Sequence, residues 1–439
     1  MRLPIFLALL FWCPLTYAND LTAKKLAITE NPSQAATELL QQVQKNQSAE
    51  LWYQLGFAYY QLSNKDAAIK SIDTALALAP EPVLEVQLLE LKALVYGVLY
   101  RDTSTAVSTL KAAELALEQL NGAEKAQFQT SIYESFAQAY NQLGNMAEAT
   151  RYAELSINIA TEFQLLAPEL QARLIAGRIA LQQNNFALSQ LQLSRALELA
   201  KQLNKEIPMA SIHLRLGMAY RKIEQYQQSI DHLLAAERIY AQHSRKEQHA
   251  YTQINLAQTY IKMQDQTKAA AILDAASSTA QQENNAHIIA LANYGLAQLA
   301  ELQEDLTQAK QYLQQSLVYY SQLQNDSMRL EIQLALSSVL LKLNDLEGAL
   351  QQRPNWTELE TAADYLKTRY FDVTIALHVQ QQQWQEAFQT SQALNAQQAE
   401  QLSLQHYQTL DLLQHNLIEQ QQQKVIQRQQ LQTRVWMIF

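Results

Sequence analysis

The chain has 439 residues, of which only 8 are Gly and 8 are Pro; charged residues make up 17%, and the formal net charge is -9. β-Rich folds need Gly and Pro at their turns, and nucleotide-binding α/β folds need glycine-rich phosphate loops, so this composition excludes both classes. The acidic balance also gives no electrostatic basis for nucleic-acid binding. We therefore predict an all-α protein with no nucleic-acid partner.

The start of the chain, 1–18, has the order of a secretory signal peptide. Arg2 supplies a positive start, the segment 3–15 is mostly apolar, and Ala18 is a small residue at the expected cleavage point. The single cysteine, Cys13, lies inside this segment, so the mature chain would have neither a disulfide nor a thiolate metal site. We expect export, to a bacterial periplasm. After cleavage, residues 19–48 are expected to form an N-terminal cap built on a helix at Pro32–Lys45.

Residues 52–80 carry the clearest motif of the chain. Its defining positions are Trp52, Leu55, Gly56, Tyr59, Ala68, Ile72, Ala75 and Pro80. The motif resembles the tetratricopeptide repeat (TPR). The resemblance implies two antiparallel helices that cross at small residues, with larger residues packing against the next repeat.

The same pattern recurs downstream with a period of 40. The small residue of the first helix recurs as Ala137, Gly177, Gly217, Ala257, Ala297 and Ser337, and that of the second helix as Ala149, Ser189, Ser229, Ala269, Ala309 and Ala349. A TPR has a usual period of about 34 residues. Each repeat is therefore longer by about six residues, or about 9 Å of helix, which predicts close to one extra turn per helix.

The repeat pattern predicts a TPR-type α-solenoid over residues 49–395, a right-handed superhelix of about nine helix pairs. The pair between residues 81 and 129 is degenerate, Pro354 interrupts the register, and a last pair is expected around residues 371–393. A single repeat cannot bury its apolar face alone, so neighbouring repeats must stack. The first helices then line a concave groove in which a protein or peptide partner binds.

The chain changes character after residue 395. Residues 396–434 are Gln-rich with a modest apolar stripe, which predicts an extended helical stalk and allows a homodimer through it. Residues 435–439 are apolar and include Trp436 near their start. Two interpretations stay open for this end: the first turn of a truncated transmembrane helix that anchors the protein in the inner membrane, or a short segment that docks on the last repeat.

The layout of the whole chain, with a signal peptide, TPRs, a Gln-rich helix and an apolar end, resembles the periplasmic sensor regions of membrane-bound signalling proteins. In that group the output domain is a GGDEF diguanylate cyclase or a histidine kinase. The resemblance implies a sensory input module whose output domain is absent from this chain. The alternative is a soluble periplasmic TPR scaffold for envelope protein assembly. A third hypothesis is an enzyme or a small-ligand binder.

Motifs of catalysis are absent from the sequence: there is no Gly-x-Ser-x-Gly, His-Glu-x-x-His, Cys-x-x-Cys or Walker loop. We therefore predict no catalytic residue, no metal and no cofactor. TPR geometry instead nominates groove positions on the first helices. They are an aromatic strip of Tyr53, Phe57 and Tyr60 and a polar set of Arg178, Arg221, Lys222, Asn255 and Lys262. Asn255 and Lys262 match places that some TPRs use to capture peptide carboxylates; the other interpretation is ordinary packing and surface.

Overall fold

The computed structural model describes residues 28–323, 326–360 and 362–402. The predicted signal peptide (1–18), most of the predicted stalk (396–434) and the apolar end (435–439) lie outside these ranges.

The described residues form helices joined by short turns, with no β-strand among them. In chain order they are α1 (Pro32–Lys45), α2 (Ala49–Gln61), α3 (Lys65–Ala77), α4 (Pro82–Leu94), α5 (Thr103–Ala116), α6 (Gly122–Gln142), α7 (Met146–Glu162), α8 (Leu166–Gln182), α9 (Phe186–Gln202) and α10 (Glu206–Lys222). They continue as α11 (Tyr226–Gln242), α12 (Lys246–Lys262), α13 (Gln266–Gln282), α14 (Ala286–Leu302), α15 (Leu306–Leu323), α16 (Asp326–Lys342), α17 (Leu346–Gln352), α18 (Trp356–Leu359), α19 (Asp364–Gln380) and α20 (residues 384–402).

The helix lengths confirm the long repeat. Both helices of the first pair, α2 and α3, have 13 residues. From α7 to α14 every helix has 17 residues, and the helices begin at even intervals along the chain. The four additional residues are about one turn of α-helix. The later pairs are therefore TPR-type hairpins with each helix extended by one turn.

The turns between these helices share one conformation, in which a residue at positive φ ends each helix. In the turn after α12, the N–H of Gln264 (φ 61°) donates to the carbonyl of Ile261, and the N–H of Asp265 donates to the carbonyl of Tyr260 at 2.9 Å. Asp265 then caps α13 through its side chain, which accepts from the N–H of Lys268. The same positive φ recurs at the corresponding position of each turn, at Gln164, Asn184, Asn204, Glu224, Ser244, Gln264, Asn284 and Glu304. This left-handed position is usually Gly, so its occupation by other residues accounts for part of the low Gly content.

The small residues of the 40-residue pattern lie where paired helices cross, as predicted. Ala137 and Ala149 are fully buried, as are Ser337 and Ala349. Ser337 Oγ donates to the carbonyl of Ala349 at 2.7 Å. At Gly177 the approach is very close, because a Cβ there would lie 2.6 Å from Leu193 Cγ. The crossing therefore leaves room only for small side chains.

Contacts divide the chain into two compact units. Among the described residues, unit 1 comprises those up to Gln182 together with Leu191–Leu216, and unit 2 comprises Gln183–Gln190 together with those from Gly217 onward. The main core of unit 1 surrounds Phe136 and Ile132 between α4 and α8. Cores of unit 2 surround Leu273 between α12 and α14, and Leu336 between α14 and α19.

Two interruptions of the pattern have local causes. After α4 the chain makes a π-helical turn, Val95–Tyr100, which ends at Arg101 with a positive φ of 57°. The second helix α17 has only seven residues because Arg353-Pro354 follows it, and the short α18 then leads into α19. None of the helices in the described ranges combines the length and the apolar character needed to span a bilayer.

Candidate functional site

The first helices of successive repeats in unit 2 pack against one another. α12 contacts α14, and α16 contacts α19. The last turn of α10 meets the start of α19 as well, because Lys222 Nζ lies 4.8 Å from the ring centroid of Tyr365. Five first helices therefore contribute to one inner face, and the polar side chains on it form a connected cluster.

Glu331 on α16 is the centre of this cluster. Its carboxylate accepts hydrogen bonds from the hydroxyls of Tyr294 on α14 (2.8 Å) and Tyr365 on α19 (2.9 Å). Arg369 Nη1 donates to the Tyr294 hydroxyl at 3.1 Å and lies 3.6 Å from Glu331 Oε1. The Glu331 side chain is only 16% exposed, so this network links three helices in a largely desolvated place.

Arg221 on the last turn of α10 is held by neutral acceptors. Its guanidinium donates to the backbone carbonyl (2.9 Å) and the side-chain oxygen (3.1 Å) of Asn255, and to Gln258 Oε1 at 2.7 Å. Burial lowers the pKa of Arg221 to about 10. The arginine is therefore fixed in direction and desolvated, while its charge is not cancelled by a carboxylate within hydrogen-bonding distance in the described chain.

Two exposed lysines extend the positive charge. Lys222 and Lys262 end α10 and α12, and both side chains are exposed. Desolvation and, after it, the charge of Arg221 lower the pKa of Lys222, and Lys262 and Arg369 act in the same direction. Arg221, Lys262 and Arg369 are therefore close enough to repel the charge of Lys222, while Glu331 acts in the opposite direction.

Positive charge exceeds negative charge on this inner face. Arg221, Lys222, Lys262 and Arg369 lie around the carboxylate of Glu331, and the carboxylates of Glu301 and Asp372 lie near Arg369. Glu301, on the neighbouring α14, is engaged by Lys342 at 3.4 Å. A surplus of cations on one face attracts an anionic group. The described residues contain no group of three or more His, Cys, Asp or Glu arranged to hold a metal ion.

Four of the groove residues nominated from the sequence come together in this cluster, namely Arg221, Lys222, Asn255 and Lys262. Asn255 is only 3% exposed and its side-chain oxygen is bound by Arg221, while its amide donates to the carbonyl of Tyr251. Asn255 therefore positions Arg221 and presents no free amide to a partner. Arg178 belongs to unit 1, on α8.

The aromatic strip departs from the expectation that it lines an open groove. Tyr53 and Tyr60 are buried, at 3% and 7% exposure, and Phe57 is half-buried. All three pack in a core with residues of α3 and α4, such as Ile72 and Leu88. Burial raises the pKa of Tyr60 to about 12. Helix α4 and the segment Val95–Tyr100 that follows it pack against this side of α2, so these rings are packing residues.

Sequence reasoning missed Tyr294, Glu331, Tyr365 and Arg369. These residues could have been identified from the sequence separation of contacting residues on successive first helices, which is 34 or 37. Tyr294 and Glu331 are 37 apart, and Glu331 and Tyr365 are 34 apart, like Arg221 with Gln258 and Asn255. Tyr365 lies after the register break at Pro354, so the 40-residue pattern does not align it.

Comparisons with known proteins agree with this architecture. Residues 49–82 match the family model of the tetratricopeptide repeat. No curated protein matches the chain by sequence.

Several solved structures share the fold. A Signal Transduction ATPase with Numerous Domains protein with a tetratricopeptide repeat sensor, from Pyrococcus horikoshii, has a TM-score of 0.56 at 17% identity, covering 70% of this chain and 47% of that chain. The apo form of the quorum sensor NprR from B. thuringiensis has a TM-score of 0.54 at 14% identity, and the match covers 77% of this chain and 97% of that chain. The Rap conjugation gene regulator of plasmid pLS20, in complex with the Phr* peptide, has a TM-score of 0.51 at 13% identity, and the match covers 83% of this chain and 99% of that chain. The fold is a TPR-type helical solenoid.

Proposed function

We propose that this protein is a binding module that captures an acidic peptide, or an acidic extended segment of a protein, on the inner face of unit 2. The observation that carries the proposal is the surplus of cations around Glu331. Arg221 is held by neutral acceptors, and Lys222 and Lys262 are exposed beside it. In this proposal the chain binds its partner and catalyses no reaction.

A peptide fits the arrangement for two reasons. The cationic side chains come from several first helices, so an extended ligand reaches them in succession, whereas a compact ligand reaches only a few. Tyr365 adds an aromatic surface beside Lys222. The pLS20 regulator, a protein of similar fold, was solved with a peptide, which supports a peptide as the class of ligand.

The test uses three sets of short fluorescent peptides of equal length, matched in apolar content and either acidic, neutral or basic, with binding read by fluorescence anisotropy. We expect the acidic set to bind best, and binding to weaken as salt concentration rises. The double variant Lys222→Glu with Lys262→Glu should lower affinity for the acidic set at least tenfold. These two lysines are exposed, so the fold is expected to tolerate the change.

Lys268→Glu is the matched control, because Lys268 lies on the second helix α13 with its side chain 61% exposed. It should leave peptide affinity within about twofold, a difference of about 0.4 kcal/mol. Equal loss in both variants, or acidic peptides that bind no better than neutral ones, would refute the assignment of this face.

We further propose that the module acts outside the cytoplasm as the sensory input region of a membrane-bound signalling protein of diguanylate cyclase or histidine kinase type. The order of segments in the sequence supports this proposal: a predicted signal peptide at residues 1–18, the repeats, and a Gln-rich segment that leads to the apolar residues 435–439. Peptide binding would be passed inward through the stalk, within a homodimer. Mass spectrometry of the protein from a Gram-negative host should find a chain that begins at Asn19.

The alternative is a soluble periplasmic scaffold for envelope protein assembly. Osmotic shock distinguishes the two, because a scaffold leaves the cells with the periplasmic fraction, whereas an anchored sensor requires detergent. Sequencing of the coding DNA beyond the codon for Phe439 supplies an independent test. An apolar segment of about 20 codons followed by an output domain would favour the sensor, and a stop codon would favour the scaffold.

A further inference from the structure

Arg178 on α8 differs from the other arginine of the same helix. Arg173 is 8% exposed, and its guanidinium donates to Glu169 at 2.7 Å and to Gln192 at 2.9 Å. Arg178 is half-buried, and its Nε is enclosed by protein without a hydrogen-bond partner. The buried guanidinium of Arg173 therefore has hydrogen-bond acceptors, whereas the buried Nε of Arg178 has none.

A second cation lies close to Arg178 in unit 1. Burial and, after it, the charge of Arg215 on α10 lower the pKa of Arg178 to about 10. Arg178 is thus a desolvated cation with a second positive charge nearby, and an anion bound beside it would stabilise its charged form.

The register of the first helices explains why these residues meet. In unit 2, residues 37 apart on successive first helices are in contact, as Arg221 and Gln258 are at 2.7 Å. Arg178 and Arg215 have the same separation. Asn141 and Arg178 are also 37 residues apart. They occupy the positions that Arg221 and Gln258 occupy two repeats later. The Oδ1 of Asn141 is buried and has no hydrogen-bond partner.

We propose that Arg178 and Arg215 bind a small oxyanion, a phosphate or a carboxylate, with Asn141 accepting a hydrogen bond from a hydroxyl of the ligand. The planar guanidinium fork matches carboxylate and phosphate oxygens in geometry and charge. Hydrogen phosphate and hydroxycarboxylates carry both the oxyanion and the hydroxyl. The site is formed by residues of unit 1 and does not rest on the peptide site proposed for unit 2.

A purely structural arginine and a ligand-binding arginine make opposite predictions for Arg178→Gln. If Arg178 stabilised the fold, the variant would melt at a lower temperature in the absence of ligand. If the pair serves to bind an anion, removal of one charge relieves repulsion, so the ligand-free variant should melt at the same or a higher temperature, while the response to ligand is lost.

The experiment titrates the full chain with inorganic phosphate and, separately, with malate, at constant ionic strength set with chloride. Isothermal calorimetry gives the affinity and thermal unfolding gives the stabilisation. We expect one or both anions to bind, to raise the melting temperature, and to lose at least tenfold in affinity in Arg178→Gln and in Arg215→Gln. A response to phosphate alone or to malate alone identifies the source of the oxyanion.

Arg195→Gln is the matched control, because Arg195 lies on the neighbouring α9 as a 39% exposed partner of Glu198. It should keep the full response to the anion. The double variant Lys222→Glu with Lys262→Glu should keep it too, which separates this site from the peptide site. The proposal is overturned if neither anion binds, if Arg178→Gln retains wild-type affinity, or if that variant melts lower without ligand.

Discussion

Replacement of Glu331 by Gln tests whether the polar cluster of unit 2 also holds three helices together. The carboxylate accepts from two tyrosine hydroxyls, at 2.8 and 2.9 Å, and lies 3.6 Å from Arg369. A hydrogen bond to a charged group stabilises by about 1.5–3 kcal/mol, against about 1 kcal/mol for a neutral one. Gln keeps one acceptor oxygen, so one bond is lost and the other is weakened. After an offset of about 1 kcal/mol for the easier burial of a neutral side chain, we expect a destabilisation of about 2 kcal/mol.

Hydrogen exchange measured by mass spectrometry in a urea series is the suitable assay, because it reports the opening of individual helices. Protection should fall in α14, α16 and α19 together, since Tyr294, Glu331 and Tyr365 lie on these three helices. Tyr365→Phe and the double variant complete a cycle, in which we expect a coupling energy of about 1 kcal/mol.

Glu283→Gln serves as the control for the loss of a carboxylate. Glu283 pairs with Lys246 at 2.8 Å, but the two side chains are 40% and 64% exposed, and such surface pairs contribute about 0.5 kcal/mol or less. The reasoning is refuted if the two Glu→Gln variants are destabilised equally, or if the Glu331 and Tyr365 substitutions are additive.

Three further predictions concern backbone geometry and buried charge. Gly177→Ala should destabilise by about 1 kcal/mol, because overpacking against Leu193, 2.6 Å from the new Cβ, exceeds the gain of about 1 kcal/mol in helix propensity; an increase in melting temperature would contradict it. Gly144→Ala should also destabilise by about 1 kcal/mol, measured by urea unfolding, since φ is +72° there and the new Cβ meets no atom within 4 Å, leaving backbone strain as the cause. Burial and, after it, the charge of Glu90 raise the pKa of Glu134 well above 4.5, so the folded state binds a proton that the unfolded state releases, and stability should fall as pH rises from about 4.5 through the folded pKa. Glu134→Gln should remove this part of the pH dependence of the urea midpoint, and an unchanged pH profile would exclude Glu134 as its source.

The amino-acid sequence by itself determined the repeat. Small residues must recur wherever two helices cross closely, so Gly177, Gly217 and Ser337 mark the period of 40 without knowledge of the fold. The additional residues of each repeat, relative to the usual TPR, then predict an extra turn in each helix, because the number of residues per helical turn is constant. Pro354 likewise specified the end of α17, because Pro cannot continue the helical hydrogen bonds.

Only the tertiary structure decided which polar residues meet and which aromatic residues are buried. Lys222 on α10 contacts Tyr365 on α19, although eight helices separate α10 from α19 along the chain. Arg369 and Tyr294, which also meet, are 75 apart in the sequence. These contacts depend on the stacking of successive first helices, which no local pattern encodes. Tyr53 occupies a first-helix position that is open in an isolated hairpin, and the packing of α4 against its neighbours makes it part of the core. Periodicity is a local property of the chain and can be read from it, whereas the composition of the inner face depends on the rotation between repeats that stacking sets.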